Sequence, residues 1–544
     1  MKVKRLLALA MAAVLCVSAT ACGAGDGAQS QGGGGEGATG GTVMAGAFVL
    51  DSEMANMVPF ANPTTNMDFA VFNLMYEGLF YYNPKAGELQ SALGDADTLQ
   101  WNEDYTQLTV SLNKDAKWHD GEDFTAKDVV FTYELLRDNP TLDEYGMWNR
   151  LEGVTAQDDD TVVFTCKNSF VALPNYLAYI FIVPEHQWTG QDMSTFTNAE
   201  PIGTGPFVFE KYTNGTSVEY SANTEYWKGS PKVDGMTVVL YNSSTNLTLA
   251  LIAGEIDIAI DNTIIMSSVS EFMAQDGAQM DVFAGLGNFG VMMNQENELL
   301  ADPVVRQALC MALNTEELIS RGEYNCVVEA PISWLPEIFG DYVNEEAAAT
   351  LKFDAEGAKK LLEDAGYTMG SDGIYVSPSG KRLSFEYYSA SGAPAQQSEA
   401  AMIQQYLLDI GVEVVPRVAT WAELASIASQ GSYDLLQNKI EFPCDVYAAL
   451  SNSFSTNGST NYFNYSNPEV DALLESAASE TDEAKLAEIY DQVQQLIAED
   501  YVYIPMYNSG THQPYYDGIH FSGWTTNDAP ITSTDNLISI YPVE

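Results

Sequence analysis

The sequence predicts a mixed α/β protein with more than one domain. Three observations carry this. The chain has 544 residues, and about 500 remain beyond an N-terminal leader and a glycine-rich stretch, enough for two or three domains with cores of their own. Segments of period-two alternation interleave with apolar stripes of helical period. No repeat of fixed period runs through them.

In chain order, Thr106, Leu108, Val110 and Leu112 alternate with other residues and predict a strand. Thr125 to Leu136 predicts a helix, with Thr125 and Asp128 spaced as a capping box. Thr161 to Thr165 and Met236 to Tyr241 predict further strands. Asp302-Pro303 opens a helix over Val304 to Leu313, with proline at the first helical position. Asp354 caps a helix carrying Ala358, Leu361, Leu362 and Ala365, and Gly366 stops it. Asn467-Pro468 starts another through Val470, Leu473 and Leu474. After Asp482, the residues Leu486, Ile489, Tyr490, Val493, Leu496 and Ile497 form one apolar stripe, and a strand is expected from Tyr501.

The N-terminus is a separate signal. Lys2, Lys4 and Arg5 precede an apolar run from Leu6 to Val17, followed by Ala19-Thr20-Ala21-Cys22. That is a basic n-region, an h-region and a small-residue cleavage site. A spacer rich in Gly, Ala, Ser and Gln then extends to Gly41. The order resembles a bacterial lipoprotein signal, which implies cleavage before Cys22, a diacylglycerol on its sulfur and a tether beyond it. The plainer alternative is a freely secreted protein. No second run of eighteen or more apolar residues predicts a membrane span.

Charge excludes whole classes of partner. The chain carries 23 Lys plus Arg against 75 Asp plus Glu. Phosphate recognition needs a basic face, so nucleic acid is not an expected partner. Docking on anionic headgroups is disfavoured too, leaving the lipid to hold the membrane. The acidity itself is read as solubility. Cys16 leaves with the leader; Cys166, Cys310, Cys326 and Cys444 remain, and four cysteines allow three pairings or none.

Catalytic signatures are missing. The four histidines, His119, His186, His512 and His520, have no metal-ligand spacing. There is no Gly-x-Ser-x-Gly elbow and no phosphate loop. Ser111-Leu-Asn-Lys114 matches Ser-x-x-Lys only by chance, within a strand pattern. Asp158-Asp159-Asp160 lacks calcium-loop spacing and reads as a solvated turn. Nothing singles out a carboxylate pair for glycoside hydrolysis. No cofactor and no metal are expected.

Seven stretches, in order, resemble the extracellular solute-binding proteins of family 5, the oligopeptide-, dipeptide- and nickel-binding components of ABC importers. They are Trp101-Asn-Glu-Asp-Tyr-Thr-Gln-Leu-Thr-Val-Ser-Leu, Lys117-Trp-His-Asp-Gly-Glu-Asp-Phe-Thr-Ala-Lys-Asp-Val-Val-Phe131 and Pro201-Ile-Gly-Thr-Gly-Pro-Phe207. Glu225-Tyr-Trp-Lys-Gly-Ser-Pro-Lys-Val-Asp234, Leu251-Ile-Ala-Gly-Glu-Ile-Asp257, Val304-Val-Arg-Gln-Ala-Leu309 and Ala358-Lys-Lys-Leu-Leu-Glu-Asp-Ala-Gly-Tyr367 complete the set. Trp101, Trp227 and His119 are expected to pack and to organise loops rather than to touch ligand.

The resemblance implies an α/β, two-lobed, periplasmic-binding-protein-like clamp (type II, cluster C) with an additional inserted domain. Residues 1–21 would be the signal peptide and 22–41 the tether. Lobe I would combine 42–76, 201–285 and 510–544, with the inserted domain at 77–200 and lobe II at 286–509. Gly285 to Asn288 and Tyr507 to Gly510 are then hinge candidates.

It also implies a segment lining the cleft after Tyr433-Asp434, here running to Val446. Ile440 stands near the position of a tryptophan that peptide-binding relatives carry. Glu441 or Asp445 is the acid that would pair with a ligand amine, and Gln437 replaces an arginine used by some relatives for a peptide carboxylate. Trp421 fits a cleft tryptophan, or equally a packing residue on the lobe surface. The implied function is a lipid-anchored, monomeric substrate-binding protein, not an enzyme, that delivers a peptide to ABC permease subunits. Alternatives are another small solute (a cationic metabolite, a glycoside or a metal chelate) or a secreted glycoside hydrolase.

Overall fold

The computed structural model describes residues 39–48, 56–60, 71–143, 145–260, 265–283, 285–322, 335–348, 352–391, 394–441, 445–478, 480, 482–508, 510–525 and 529–543. Cys22, with the leader and most of the tether, lies outside the described residues, as do Cys326 and Cys444. No helix among the described residues is long and apolar enough to cross a membrane.

Three sheets organise the chain. A seven-stranded sheet runs in the order Ala278–Phe283, Thr511–Tyr516, Ile258–Ala259, Thr42–Phe48, Gly235–Tyr241, Ser217–Ala222, Phe207–Thr213. Thr42–Phe48 lies parallel to both its neighbours, with Thr42 opposite Gly235. Asp257 locks this arrangement. Its Oδ2 accepts from the Met44 N–H at 2.8 Å, and its Oδ1 meets His520 Nδ1 at 2.7 Å. Val43, Ala45 and Ala47 alternate into the core beneath, together with Phe72, Trp188 and Trp524.

A five-stranded sheet runs Glu413–Ala419, Ser384–Ala390, Leu435–Glu441, Gly287–Met293, Tyr503–Asn508. Its strands Gly287–Met293 and Tyr503–Asn508 are buried on both faces, so successive residues enter different cores. Val291, Met293 and Leu435 face the helices Pro303–Ala312 and Ala355–Asp364. Met292, Leu436 and Ile440 face Val446–Phe454 and Glu483–Glu499. A four-stranded antiparallel sheet, in the order Gln100–Trp101, Gln107–Ser111, Thr161–Cys166, Leu151–Asp158, packs Leu108, Val110, Val162 and Phe164 against Val129 and Tyr133 of helix Ala126–Asp138.

Local signals explain most boundaries. Thr125 and Asp128 form the capping box of Ala126–Asp138. Asp302, Asp354, Asn467 and Asp482 each cap the helix that follows through a side-chain oxygen. Gly366, at φ 90°, reverses the chain after Ala355–Asp364. The strand expected from Tyr501 begins instead at Tyr503. Tyr501 takes a left-handed conformation, φ 50°, and ends the preceding helix before the strand can start.

The seven- and five-stranded sheets are joined by two adjacent connections, from Ala278–Phe283 to Gly287–Met293 and from Tyr503–Asn508 to Thr511–Tyr516. Buried Asn508 binds them together. Its Oδ1 accepts from the Gly285 N–H at 2.9 Å, and its Nδ2 donates to the Gly285 carbonyl at 3.0 Å.

Candidate functional site

The motif residues proved to be structural. His119 takes the Gly203 N–H on Nδ1 at 3.3 Å, while Nε2 lies 3.0 Å from the Gly205 carbonyl, so the ring staples its own loop to the Gly203–Gly205 turn. A Cβ on Gly203 would stand 1.7 Å from the Met75 carbonyl oxygen, which is why only glycine fits there. Tyr226 and Trp227 both donate to the buried carboxyl of Glu77, at 2.7 and 3.3 Å, and burial raises the pKa of that carboxyl. Arg306 spends its guanidinium on the carbonyls of Leu300, Ala301 and Asp500. Tyr367 donates to Asp302 at 2.8 Å, tying one motif to another. Trp101 packs against the core of the four-stranded sheet.

The chain holds a cavity of about 670 Å³ between the body carrying the four-stranded sheet and that carrying the five-stranded sheet. Tyr82, Arg150 and Phe170 line one wall; Tyr342, Asp445 and Tyr490 line the other. Its chemistry centres on Arg150 and Asp445.

Asp445 owes its place to helix formation. It is the N-cap of Val446–Phe454, with Oδ1 accepting from the Tyr447 N–H at 3.1 Å and Oδ2 from the Ala448 N–H at 3.2 Å. Ala448, in the first turn, packs into the core of the four-stranded sheet and draws the helix end across to it. Burial pushes the Asp445 carboxyl pKa up; Arg150 and the two N–H groups pull it down.

Arg150 ends the short helix Met147–Arg150. Its guanidinium carbon lies 4.5 Å from the Phe170 ring centre and 5.0 Å from that of Tyr176. Those rings are themselves 5.2 Å apart and tilted. Arg150 Nη1 stands 3.9 Å from Asp445 Oδ2, and the guanidinium donates no hydrogen bond among the described residues. The cation is therefore held by aromatic faces and a long ion pair, with its N–H groups uncommitted.

Of the residues singled out in the sequence, Asp445 lines this cavity. Trp421 does not. It begins the helix Trp421–Ser429, remains 37% exposed, and follows a strand whose Val418 is 60% exposed. The Glu441 backbone ends Leu435–Glu441 opposite Gly287, and its side chain lies outside the described residues. Gln437 is buried and donates to Glu399 at 2.6 Å, inside the five-stranded body. Cys166 and Cys310 are buried free thiols, with burial pushing their pKa values up to about 11 and about 12. No metal-binding cluster exists among the described residues.

Sequence reasoning missed Arg150, Phe170 and Tyr176. The one available signal was scarcity: in so acidic a chain an arginine is rare, and Arg150 follows Trp148 in a stretch matching no motif.

Comparison with known proteins gives this geometry a setting. Residues 91–485 match the family model described as bacterial extracellular solute-binding proteins, family 5 (Middle). The chain is 28% identical over 464 residues to the oligopeptide-binding protein AppA of Bacillus subtilis, covering 81% of this chain and 82% of AppA. The crystal structure of the ABC transporter substrate-binding protein CtaP from Listeria monocytogenes superposes with a TM-score of 0.80 at 25% identity, covering 93% of this chain and 100% of CtaP. The structure of B. subtilis AppA in complex with a nonapeptide gives 0.74 at 23% identity, covering 94% and 100%. The shared fold is the two-lobed, periplasmic-binding-protein-like α/β architecture.

Proposed function

We propose that this chain, which belongs to the bacterial extracellular solute-binding proteins of family 5, is a lipid-anchored substrate-binding protein of an ABC importer that captures peptide by lobe closure and passes it to a membrane permease. The family is one of binding proteins, and capture rather than bond cleavage is the work assigned here. Cys22 carries the lipid in this reading. Lobe I comprises 42–76, 201–285 and 510–544, residues 77–200 are inserted, and lobe II is 286–509. The paired connections clasped by Asn508 are the hinge.

The observation that carries the reading is the cavity itself. It lies between two separately packed bodies and holds an opposed Arg150 and Asp445 among aromatic walls. That is the setting in which a flexible polar solute can be enclosed and its charges paired. Peptide is chosen because AppA is named an oligopeptide-binding protein. Backbone groups of an extended peptide also bind without regard to most side chains.

A peptide's ammonium loses water on closure and needs a carboxylate beside it. Asp445 and Glu441 are assigned that role, and Trp421, which lies outside the cavity, a ligand contact on lobe II made only on closure. The test is calorimetric titration of a free-amine tetrapeptide into Glu441→Gln and Asp445→Asn. Asparagine retains the helix cap, so Asp445→Asn should fold. Loss of the true partner should weaken binding by about 2–5 kcal/mol. If both variants bind like wild type, the amine anchor is wrong and the solute carries no essential ammonium.

A further inference from the structure

We infer that the Arg150 face of the cavity is a carboxylate subsite, with Arg150 as the residue that selects for a carboxylate on the solute. The inference rests on the solute-binding reading above and adds a ligand chemistry to it.

Three features of the geometry support it. First, Arg150 packs over aromatic rings. Its guanidinium carbon lies 4.5 and 5.0 Å from the ring centres of Phe170 and Tyr176, and its N–H groups donate no hydrogen bond among the described residues. A planar fork with free edges is the shape that takes a carboxylate through two parallel hydrogen bonds. Second, the acid already nearby does not satisfy it. Asp445 stands at 3.9 Å, beyond hydrogen-bond length, because its oxygens are turned to the Tyr447 and Ala448 N–H groups. Asp445 moderates the positive charge without consuming its donors. Third, the site opens on space. Arg150 lines the 670 Å³ cavity, and Asn149, Asn168 and Ser169 beside it offer polar atoms but no second charge of either sign. Elsewhere on the cavity wall the charged residues are Asp445 and Glu480, both acidic. A solute carboxylate entering this cavity therefore has one favourable place to sit.

Arginine usage across the chain makes the contrast sharper. Arg306 is spent on backbone carbonyls, while Arg137, Arg321, Arg382 and Arg417 each donate to a carboxylate. Arg150 is unlike these in standing at a cavity with its donors free.

A peptide can bring a carboxylate from its C-terminus or from an acidic side chain, and the experiment separates the two. The probes are N-acetyl-tetraalanine as free acid and as amide, and N-acetyl-tetrapeptide amides beginning with Glu or with Gln. Acetylation removes the ammonium, so the amine anchor plays no part. Each is titrated at low salt into wild type, Arg150→Gln and Asp445→Asn. Wild type should favour the acid of one pair at least about tenfold, identifying the source of the carboxylate. Arg150→Gln should bind both members of that pair alike. Asp445→Asn, which frees Arg150 from its acidic neighbour and retains the cap, should keep or enlarge the preference; this arm stands even if Arg150→Gln folds poorly. Equal binding of acid and amide by wild type, an undiminished preference in Arg150→Gln, or a lost one in Asp445→Asn overturns the inference and leaves Arg150 a brace between two bodies. Should no peptide bind wild type, the peptide reading fails alone if hippurate binds in preference to hippuramide and Arg150→Gln abolishes that preference. Failure there as well overturns the subsite.

Discussion

At the scale of single residues, the chain uses individual polar side chains to hold turns and strand ends. His119, Arg306, Tyr367 and Asp257 each join segments far apart in sequence by hydrogen bonds to backbone or to a capping acid. His512 is a purer case of burial. It sits 3% exposed in the strand Thr511–Tyr516, opposite Val282, and burial pushes its pKa down to about 4. An unfolded histidine titrates near 6.5. As the pH falls from 7 to 5, the unfolded chain takes up a proton that the folded one refuses, so stability present above pH 6.5 is lost on the way down toward 4. The loss from this one ring by pH 5 is about 2 kcal/mol. His512→Gln should therefore show a smaller drop in denaturation midpoint between pH 7 and pH 5 than wild type, and an equal drop would mean the ring is protonated in the native state. Legibility at this scale was uneven. The expectation that His119, Trp101 and Trp227 organise structure followed from their motifs. Arg150 could not be read, because its meaning comes from Phe170, Tyr176 and Asp445, which only folding brings beside it.

At the scale of elements, caps decided where helices begin. The box at Thr125 and Asp128 is instructive because its two halves do unequal work. Thr125 Oγ1 accepts from the Lys127 N–H at 3.3 Å, an exposed bond. Asp128 accepts from the Thr125 N–H at 2.9 Å and also from the Glu185 N–H at 3.0 Å, pinning the helix to a segment 57 residues away. Thr125→Ala should cost about 1 kcal/mol. Asp128→Ala should cost about 2–3 kcal/mol, since it also leaves a partly buried N–H without its acceptor. Urea denaturation of the two variants checks this; equal costs would show that the Glu185 link adds nothing. Elements with a cap and a clear stripe were legible in the sequence, as Ala126–Asp138 and Glu483–Glu499 show. Pro394–Asp409 was not, having little amphipathic pattern along its length. Nor were Ser384–Ala390 and Leu435–Glu441. In Leu435–Glu441, Leu435 and Leu436 enter cores on opposite faces and the period-two alternation is lost, while Ser384–Ala390 buries Phe385, Tyr387 and Ser389 in alternation but carries a second aromatic, Tyr388, on its half-buried face.

At the scale of the whole molecule, motion must pass through the places where separately packed bodies are joined. The seven- and five-stranded sheets have distinct cores, so neither can deform cheaply and relative displacement concentrates in the connections. Asn508 clasps Gly285 through both its backbone groups and keeps the two connections side by side. The strands on either side also pair directly, Asn288 opposite Asn508 and Phe283 opposite Thr511, so the two connections can rotate together about their common line, while shear between them would break the ladders as well as both Asn508 bonds. That favours a hinge over a slide. The cavity carrying Arg150 and Asp445 lies away from this line, between bodies that closure would press together. Small-angle scattering should then show a lower radius of gyration with a saturating peptide than without. In Asn508→Ala, where the clasp is gone, the ligand-free radius should rise or its distribution broaden, with closure still driven by peptide at weaker affinity. A radius unchanged at saturation in wild type would mean that solute enters without lobe movement, and capture would then have to depend on the side chains of the cavity alone.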